Sequence, residues 1–204
     1  MMRRRFRWWY QRLRIIKYRL LSDCERIYGK PVIRQPVHFV GRGEIRFNGK
    51  VDLGIYPNPF FFNGYIYIEA RTPDAVIEFG DGVFVNNSCF LISDGPGISI
   101  GKGSMLGVNC EIIDSDFHDT KPQRRLNGVP RSGKVVIGEN VLIGSNVKIL
   151  KGVRIGKDSI IANGTVVTKS VPENMLAFGN PAKCGPRFSP QDWKQRVPAA
   201  EPQP

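Results

Sequence analysis

Aliphatic side chains recur at every sixth position from 135 to 171, where the chain reads VVIGENVLIGSNVKILKGVRIGKDSIIANGTVVTKSV. The column is Ile137, Ile143, Ile149, Ile155, Ile161 and Val167, and mostly small residues follow it, such as Gly138, Gly144, Gly156 and Ala162. A second column, four residues after the first, runs Val141, Val147, Val153, Ser159, Thr165, Val171. Neither the 3.6-residue period of a helix nor the period of two of a strand produces this spacing. Short strands joined by sharp corners do. The first column points into a narrow core, the second accepts a modest side chain, and the small residues let the backbone turn. Three hexads make one triangular coil, and stacked coils bury a continuous apolar column.

The same rhythm appears upstream as Phe79, Val85, Leu91 and as Ile100, Leu106, Ile112. The longer step from 91 to 100 implies a small insertion around Asp94-Gly95-Pro96, and Phe47 and Leu53 carry a weaker turn. Residues 55–76 keep the period poorly and are read only as leading into the coils. Between Ile112 and Ile137 the rhythm stops for IDSDFHDTKPQRRLNGVPRSGKVV, a long excursion of the kind that usually serves function. The expected organisation is an all-β domain over 35–187, a parallel β-helix with an extended loop at 114–134. It is preceded by a helical segment at 1–34 and followed by a Pro-rich tail at 188–204.

The N-terminal segment MMRRRFRWWYQRLRIIKYRLL spaces Phe6, Trp9, Tyr10, Leu13, Ile16 and Leu20 as one helical face, while Trp8, Ile15 and Tyr18 fall elsewhere. Arginines are interleaved, with no acid before Asp23. Such a basic amphipathic helix suits either peripheral contact of residues 1–21 with an anionic membrane, at its inner face, or packing against the body with solvated arginines.

Charge changes the picture once it is located. The chain has 204 residues and a net charge of +12, but residues 1–34 hold eleven Lys or Arg against Asp23 and Glu25. The other 170 residues hold nineteen basic and sixteen acidic groups. The basicity belongs to an appendage, and the body offers no basic groove, so no nucleic-acid partner is expected. No membrane-spanning run and no uninterrupted apolar signal core occur, and Cys24, Cys89, Cys110 and Cys184 lack metal or secreted-domain spacing. A cytoplasmic protein is the expectation.

His118 is one of two histidines, with His38 the other. It lies in DSDFHDT where the repeat opens, flanked by Asp114, Asp116 and Asp119, an anionic and partly exposed setting that favours an imidazole able to take a proton. Taken together, the repeats from Phe79 to Val171, the Asn-Asn-Ser-Cys segment at 86–89, Asp94, the DxDxHD loop and the ending GTVVTKSVPENMLAFGNPAK resemble the galactoside and maltose O-acetyltransferase group of hexapeptide-repeat acyltransferases.

That resemblance implies a left-handed β-helix, a homotrimer with active sites between subunits, and acetyl-CoA as co-substrate with no metal. It implies His118 as the catalytic base taking a proton from the acceptor hydroxyl, which attacks the thioester directly. Asn86 and Asp94 match acceptor-binding positions, with Asn87 leaving the frame open by one. Ser145 matches a residue whose backbone amide faces the thioester carbonyl, an interaction worth roughly 3–4 kcal/mol in other enzymes. Asn163, Thr168 and Lys169 match the pantetheine and nucleotide groove, and Lys183 and Arg187 are placed for CoA phosphates. The implied acceptor is a saccharide or glycolipid, as in assembly of bacterial surface polysaccharide. Leu142 stands where the group often has an aromatic residue, and the N-terminal helix has no evident counterpart, so the donor is better specified than the acceptor. Xenobiotic or amino-sugar N-acetylation and a non-catalytic trimeric scaffold remain as alternatives. A β-helix carbonic anhydrase would need three histidines around a metal, and a nucleotidyltransferase a further domain.

Overall fold

Stacking of the sixfold columns produces three parallel sheets. The structure is a computed structural model that describes residues 2–186. The first sheet runs through Ile27–Tyr28, Glu44–Phe47, Val76–Phe79, Ile98–Ile100, Val135–Ile137 and Arg154–Ile155. The second carries Val32–Ile33, Asp52–Leu53, Phe84–Val85, Met105–Leu106, Leu142–Ile143, Ile160–Ile161 and Met175–Phe178. The third contains Val37–Val40, Ile66–Ala70, Phe90–Ser93, Glu111–Ile113, Lys148–Ile149 and Val166–Val167. The chain visits the sheets in rotation, giving a triangular prism of six coils with the fold of a left-handed parallel β-helix.

Register explains the period. Phe79 pairs with Ile100 and Ile100 with Ile137; Val85 pairs with Leu106 and Leu106 with Ile143; Leu91 pairs with Ile112 and Ile112 with Ile149. Every first-column residue from Phe79 to Val167 is at most 2% exposed. In the second column, Ser104 Oγ donates to Gly138 O, Ser159 Oγ to Pro172 O, and the Cys89 and Cys110 thiols to Gly107 O and Gly144 O. A small polar residue there ties one coil to the next.

The corners differ in one respect from the sequence expectation. The left-handed backbone falls three residues after the aliphatic position, at Asn140, Asn146, Gly152, Asp158 and Gly164, types that tolerate positive φ. The small residue directly after the aliphatic serves close approach instead. A Cβ on Gly138 would sit 2.7 Å from the Lys157 nitrogen of the next coil.

The coiled body also begins earlier than the boundary at 35 read from sequence. The helix α1 (Met2–Leu21) ends well before it, and the first coil starts at Ile27, where Ile27–Tyr28 pairs with Ile45 and Arg46 and Val32–Ile33 with Asp52 and Leu53. Residues 55–65 form an excursion between the second and third sheets, and Ile66–Ala70 completes the second coil. Buried Asn87 holds that excursion, accepting from Ile55 N–H at 3.0 Å and donating to Ile55 O and Pro59 O at 3.0 and 2.9 Å.

α1 packs against the excursion and the first coils through the residues outside its apolar stripe. Gln11, 1% exposed, donates to Arg34 O and Phe61 O. Arg14 donates to Phe61 O and Gly64 O, Tyr18 stacks on Tyr65 at 4.8 Å, and Trp8 meets Phe61 edge-on. At the other end the strand Lys183–Pro186 turns back antiparallel along Met175–Phe178. No helix among the described residues is long and apolar enough to cross a membrane.

Candidate active site

The loop with His118 leaves the third sheet after Glu111–Ile113 and rejoins the first at Val135–Ile137, so it projects from the edge where these sheets meet, the 3–1 edge. It is an ordered, hairpin-like excursion. Ser115 bridges Ser132, Asp116 N–H donates to Arg131 O, and Gly133 N–H donates to Asp114 O. Phe117 takes φ 61°, unusual for an aromatic residue, with its N–H on Ser115 Oγ. The turn leaves His118 exposed.

His118 Nδ1 lies 3.2 Å from Arg125 O. A carbonyl oxygen only accepts, so this contact is a hydrogen bond when Nδ1 carries the proton, and the Nε2 lone pair then faces outward. The flanking acids do not supply the anionic setting expected of them. Asp114 is fully buried and accepts from Ser93 Oγ–H and from the backbone amides of Asp94 and Gly97, at 2.7–2.8 Å. Asp116 pairs with Lys151 at 2.5 Å. Asp119 accepts from Lys121 N–H and pairs with Arg124, and these contacts hold its carboxyl below the usual carboxylate range. Asp116 and Asp119 are each paired with a cation and Asp114 is engaged by three neutral donors, so all three act as ties of the excursion.

Asp94 shares the 3–1 edge with His118. Asp114 fastens its backbone, and Arg71 Nη1 lies 3.8 Å from its Oδ2. Arg71 also binds Glu69 through two nitrogens, which raises the guanidinium pKa, and stacks over the Phe117 ring at 4.7 Å. Glu69 accepts in addition from Tyr67, whose hydroxyl is pushed up to about 12 by burial and by that bond. Arg71 and Phe117 were not identifiable as site residues from sequence. Asp114 was visible there only as an acid near a histidine.

The remaining candidates divide between two edges. Asn86, Ser145 and Asn163 follow strands of the second sheet and line the 2–3 edge, where Lys183 also sits opposite Phe178. Asn86, half-buried, accepts the Asn87 N–H, while Asn87 is buried and fully engaged, so Asn86 is the one of the two that reaches the surface. Ser145 N–H donates to Asn163 Oδ1 at 2.7 Å, so the amide expected to face a thioester already has a partner. Thr168 and Lys169, both exposed, follow Val166–Val167 and lie on the 3–1 edge. Arg187 lies outside the described residues. The two edges are separated by the width of the third sheet, on the order of 15 Å for four or five residues of strand. A concavity of about 370 Å³, lined by Ile55, Phe84, Asn86, Met105 and Leu142, opens beside the 2–3 edge and does not include His118.

Residues 134–169 match the family described as bacterial transferase hexapeptide (six repeats). Over 118 residues the chain is 39% identical to a galactoside O-acetyltransferase of Lactococcus lactis subsp. lactis (strain IL1403), a match spanning 58% of this chain and 56% of that protein. Among solved structures, a maltose O-acetyltransferase from Clostridium difficile 630 is similar with a TM-score of 0.51 and 24% identity, covering 88% of this chain and 83% of the other. A galactoside acetyltransferase in complex with coenzyme A gives a TM-score of 0.50 and 24% identity over 81% and 68% of the two chains. At that identity both structures show the shared fold.

Proposed function

We propose, from the match of residues 134–169 to the hexapeptide transferase family and the likeness to a galactoside O-acetyltransferase, that the protein is an acetyl-CoA-dependent O-acetyltransferase that acts on a saccharide hydroxyl with His118 as general base. The observation that carries this reading is the His118 Nδ1 contact with Arg125 O, which leaves Nε2 as the proton acceptor on an exposed edge. Nε2 takes the acceptor hydroxyl proton as that oxygen bonds to the thioester carbonyl carbon. Collapse of the tetrahedral adduct breaks the C–S bond, and the imidazolium returns its proton to the departing CoA sulfur. No covalent enzyme intermediate is needed. The buried thiols of Cys24, Cys89 and Cys110 are core residues, and burial raises the Cys89 pKa, which suits a structural role in a reducing cytoplasm.

A homotrimer completes the site. His118 and Asp94 occupy one edge of the prism and Asn86, Ser145 and Asn163 another, too far apart to share one acetyl group. A ring of three copies sets the first edge of each against the second edge of its neighbour. Exposed Leu126 and Val129 at the loop tip, and the outward ladder Phe84, Met105, Leu142 on the second sheet, support such a contact. Asp94, backed by Arg71, and Asn86 would hold the sugar. Lys169, Lys183 and Arg187 would meet the anionic end of the coenzyme. The exposed Asn163 side chain would swing aside to release the Ser145 N–H for the oxyanion. The saccharide acceptor, with surface-polysaccharide or glycolipid assembly as its setting, is drawn from the likeness to galactoside and maltose acetyltransferases.

The test is release of CoA thiol from acetyl-CoA with a pool of sugars and glycolipids, comparing wild type with His118→Ala. The expected result is acceptor-dependent release that falls about a hundredfold or more in the variant, unchanged coenzyme binding, and an alkali-labile ester product. Equal turnover by the variant would remove His118 as base. A protein that does not bind CoA would leave the fold as a scaffold.

A further inference from the structure

A helix that covers a soluble body normally turns its apolar stripe inward. α1 does the reverse. Phe6, Trp9, Leu13, Ile16 and Leu20 share one face and are 62%, 59%, 45%, 52% and 81% exposed. This orientation is imposed by the opposite face, where Gln11 and Arg14 reach backbone carbonyls of the body and Trp8 and Tyr18 pack on its aromatic rings. Rolling the helix to bury the stripe would strand the Gln11 amide and break the Arg14 bonds, so the exposed stripe is held open.

From this we infer that α1 is a docking surface for an anionic lipid bilayer, lying in the plane of the interface. From Phe6 to Leu20 the stripe spans about 21 Å at ~1.5 Å per residue. Arg12 and Arg19 flank one side of it and Lys17 the other, all exposed. No acidic residue occurs before Asp23. Aromatic and aliphatic side chains in one row, bordered by arginines, fit the boundary between acyl chains and phosphate headgroups. Beside the stripe, an apolar cavity of about 630 Å³ opens between α1 and the first coil, lined by Ile15, Ile33 and Phe39 with Arg19 and Lys30 among its walls.

Other occupants fit less well. Leu13, Ile16 and Leu20 have no ring to stack on nucleic-acid bases. Symmetric pairing with a second copy would bring Arg12, Lys17 and Arg19 against their own equivalents, with no acid on the helix to offset them.

The experiment is co-sedimentation of the full chain with vesicles of phosphatidylcholine, with or without phosphatidylglycerol. Wild type is compared with the double variant Leu13→Glu, Ile16→Glu. Both residues are exposed, and an unchanged thermal melting point verifies that the variant folds. Wild type should sediment with the phosphatidylglycerol vesicles and bind phosphatidylcholine at least about tenfold more weakly, and added salt should release it. The double variant should lose about tenfold or more of the binding. Failure of wild type to bind, or equal binding by the variant, would overturn the inference. So would a change in solution mass of the variant, which would assign the stripe to contact between copies. Single-stranded RNA that binds wild type but not the variant would overturn it in favour of nucleic acid. The inference does not depend on acyl transfer: His118→Ala should bind vesicles as wild type does, so the two readings fail separately.

Discussion

The guanidinium of Arg71 lies flat against the site loop, its carbon 4.7 Å from the centre of the Phe117 ring, while Nη1 faces the Asp94 carboxylate. One side chain thus connects the second coil, the insertion after the third, and the residue beside His118. A cation over an aromatic ring at a partly exposed site is worth about 0.5–1 kcal/mol, and the two carboxylate contacts add orientation. Arg71→Ala should therefore raise the acceptor KM and lower kcat, with a combined loss of about tenfold to a hundredfold in kcat/KM. The dissociation constant for coenzyme should not move. Arg71→Lys should restore little, because an ammonium cannot bridge Glu69 and stack on Phe117 at once. Steady-state kinetics with calorimetric titration of CoA separates these terms.

Two glycines should respond to alanine for different reasons. A Cβ on Gly144 would lie 2.3 Å from Asn163 Oδ1 and 2.7 Å from its backbone nitrogen. Gly144→Ala should cost about 1–3 kcal/mol of stability and disturb the Asn163 contact with Ser145, weakening coenzyme binding. At Gly152 nothing lies within 4 Å, but φ is +73°. Gly152→Ala should cost about 1–2 kcal/mol through backbone strain alone and leave coenzyme binding unchanged. Denaturant melts and CoA titration on both variants check the contrast.

Acid should loosen the site loop through Asp119. Its carboxyl pKa is depressed, first by the Lys121 N–H and then by Arg124, so the ionised form favours the folded loop. The stabilisation is complete above the ordinary carboxylate pKa, near 3.9, and is lost as pH falls through the lower folded value. Acid-active protease should cut within 120–130 faster as pH drops below about 4. Asp119→Asn should show that faster cleavage at neutral pH.

Loop-tip exposure should report on assembly. Leu126 and Val129 are 86% and 85% exposed on the isolated chain. Leu126→Glu with Val129→Glu should leave the melting of a monomer unaffected but shift the solution mass from three copies toward one. Light scattering after gel filtration measures this, and activity should fall together with mass.

The coils were legible because each hexad poses the same demand: one buried aliphatic, one compact second-column residue, one corner. Ile137 through Val167 announce that demand without any knowledge of neighbours, whereas in the first coil Ile27 and Ile33 are only half-buried and Ile27 pairs with Ile45 instead of Phe47, so the sixfold signal is weaker there. His118 was legible as the residue at which the repeat breaks. Asp114 was misread, since sequence adjacency to a histidine cannot distinguish a solvent-facing acid from one buried under three donors. The tie from Asn87 to Ile55 and Pro59 crosses some thirty positions and follows no period. For α1, the amphipathic pattern identified the stripe but not its direction, which is decided by two polar side chains, Gln11 and Arg14, on the opposite face.

The backward turn of Lys183–Pro186 along Met175–Phe178 has a consequence for solubility. A parallel β-helix is a template for its own extension, because its last coil offers open backbone donors and acceptors to any strand of the same direction. On the second sheet, the strand that closes the prism runs the other way and displaces the chain from the sixfold path. A second molecule arriving at that end finds an antiparallel border on one side of the triangle, so it cannot seat as the next coil on all three. Among the described residues, the four from Lys183 to Pro186 would thereby interrupt fibre growth along the prism axis.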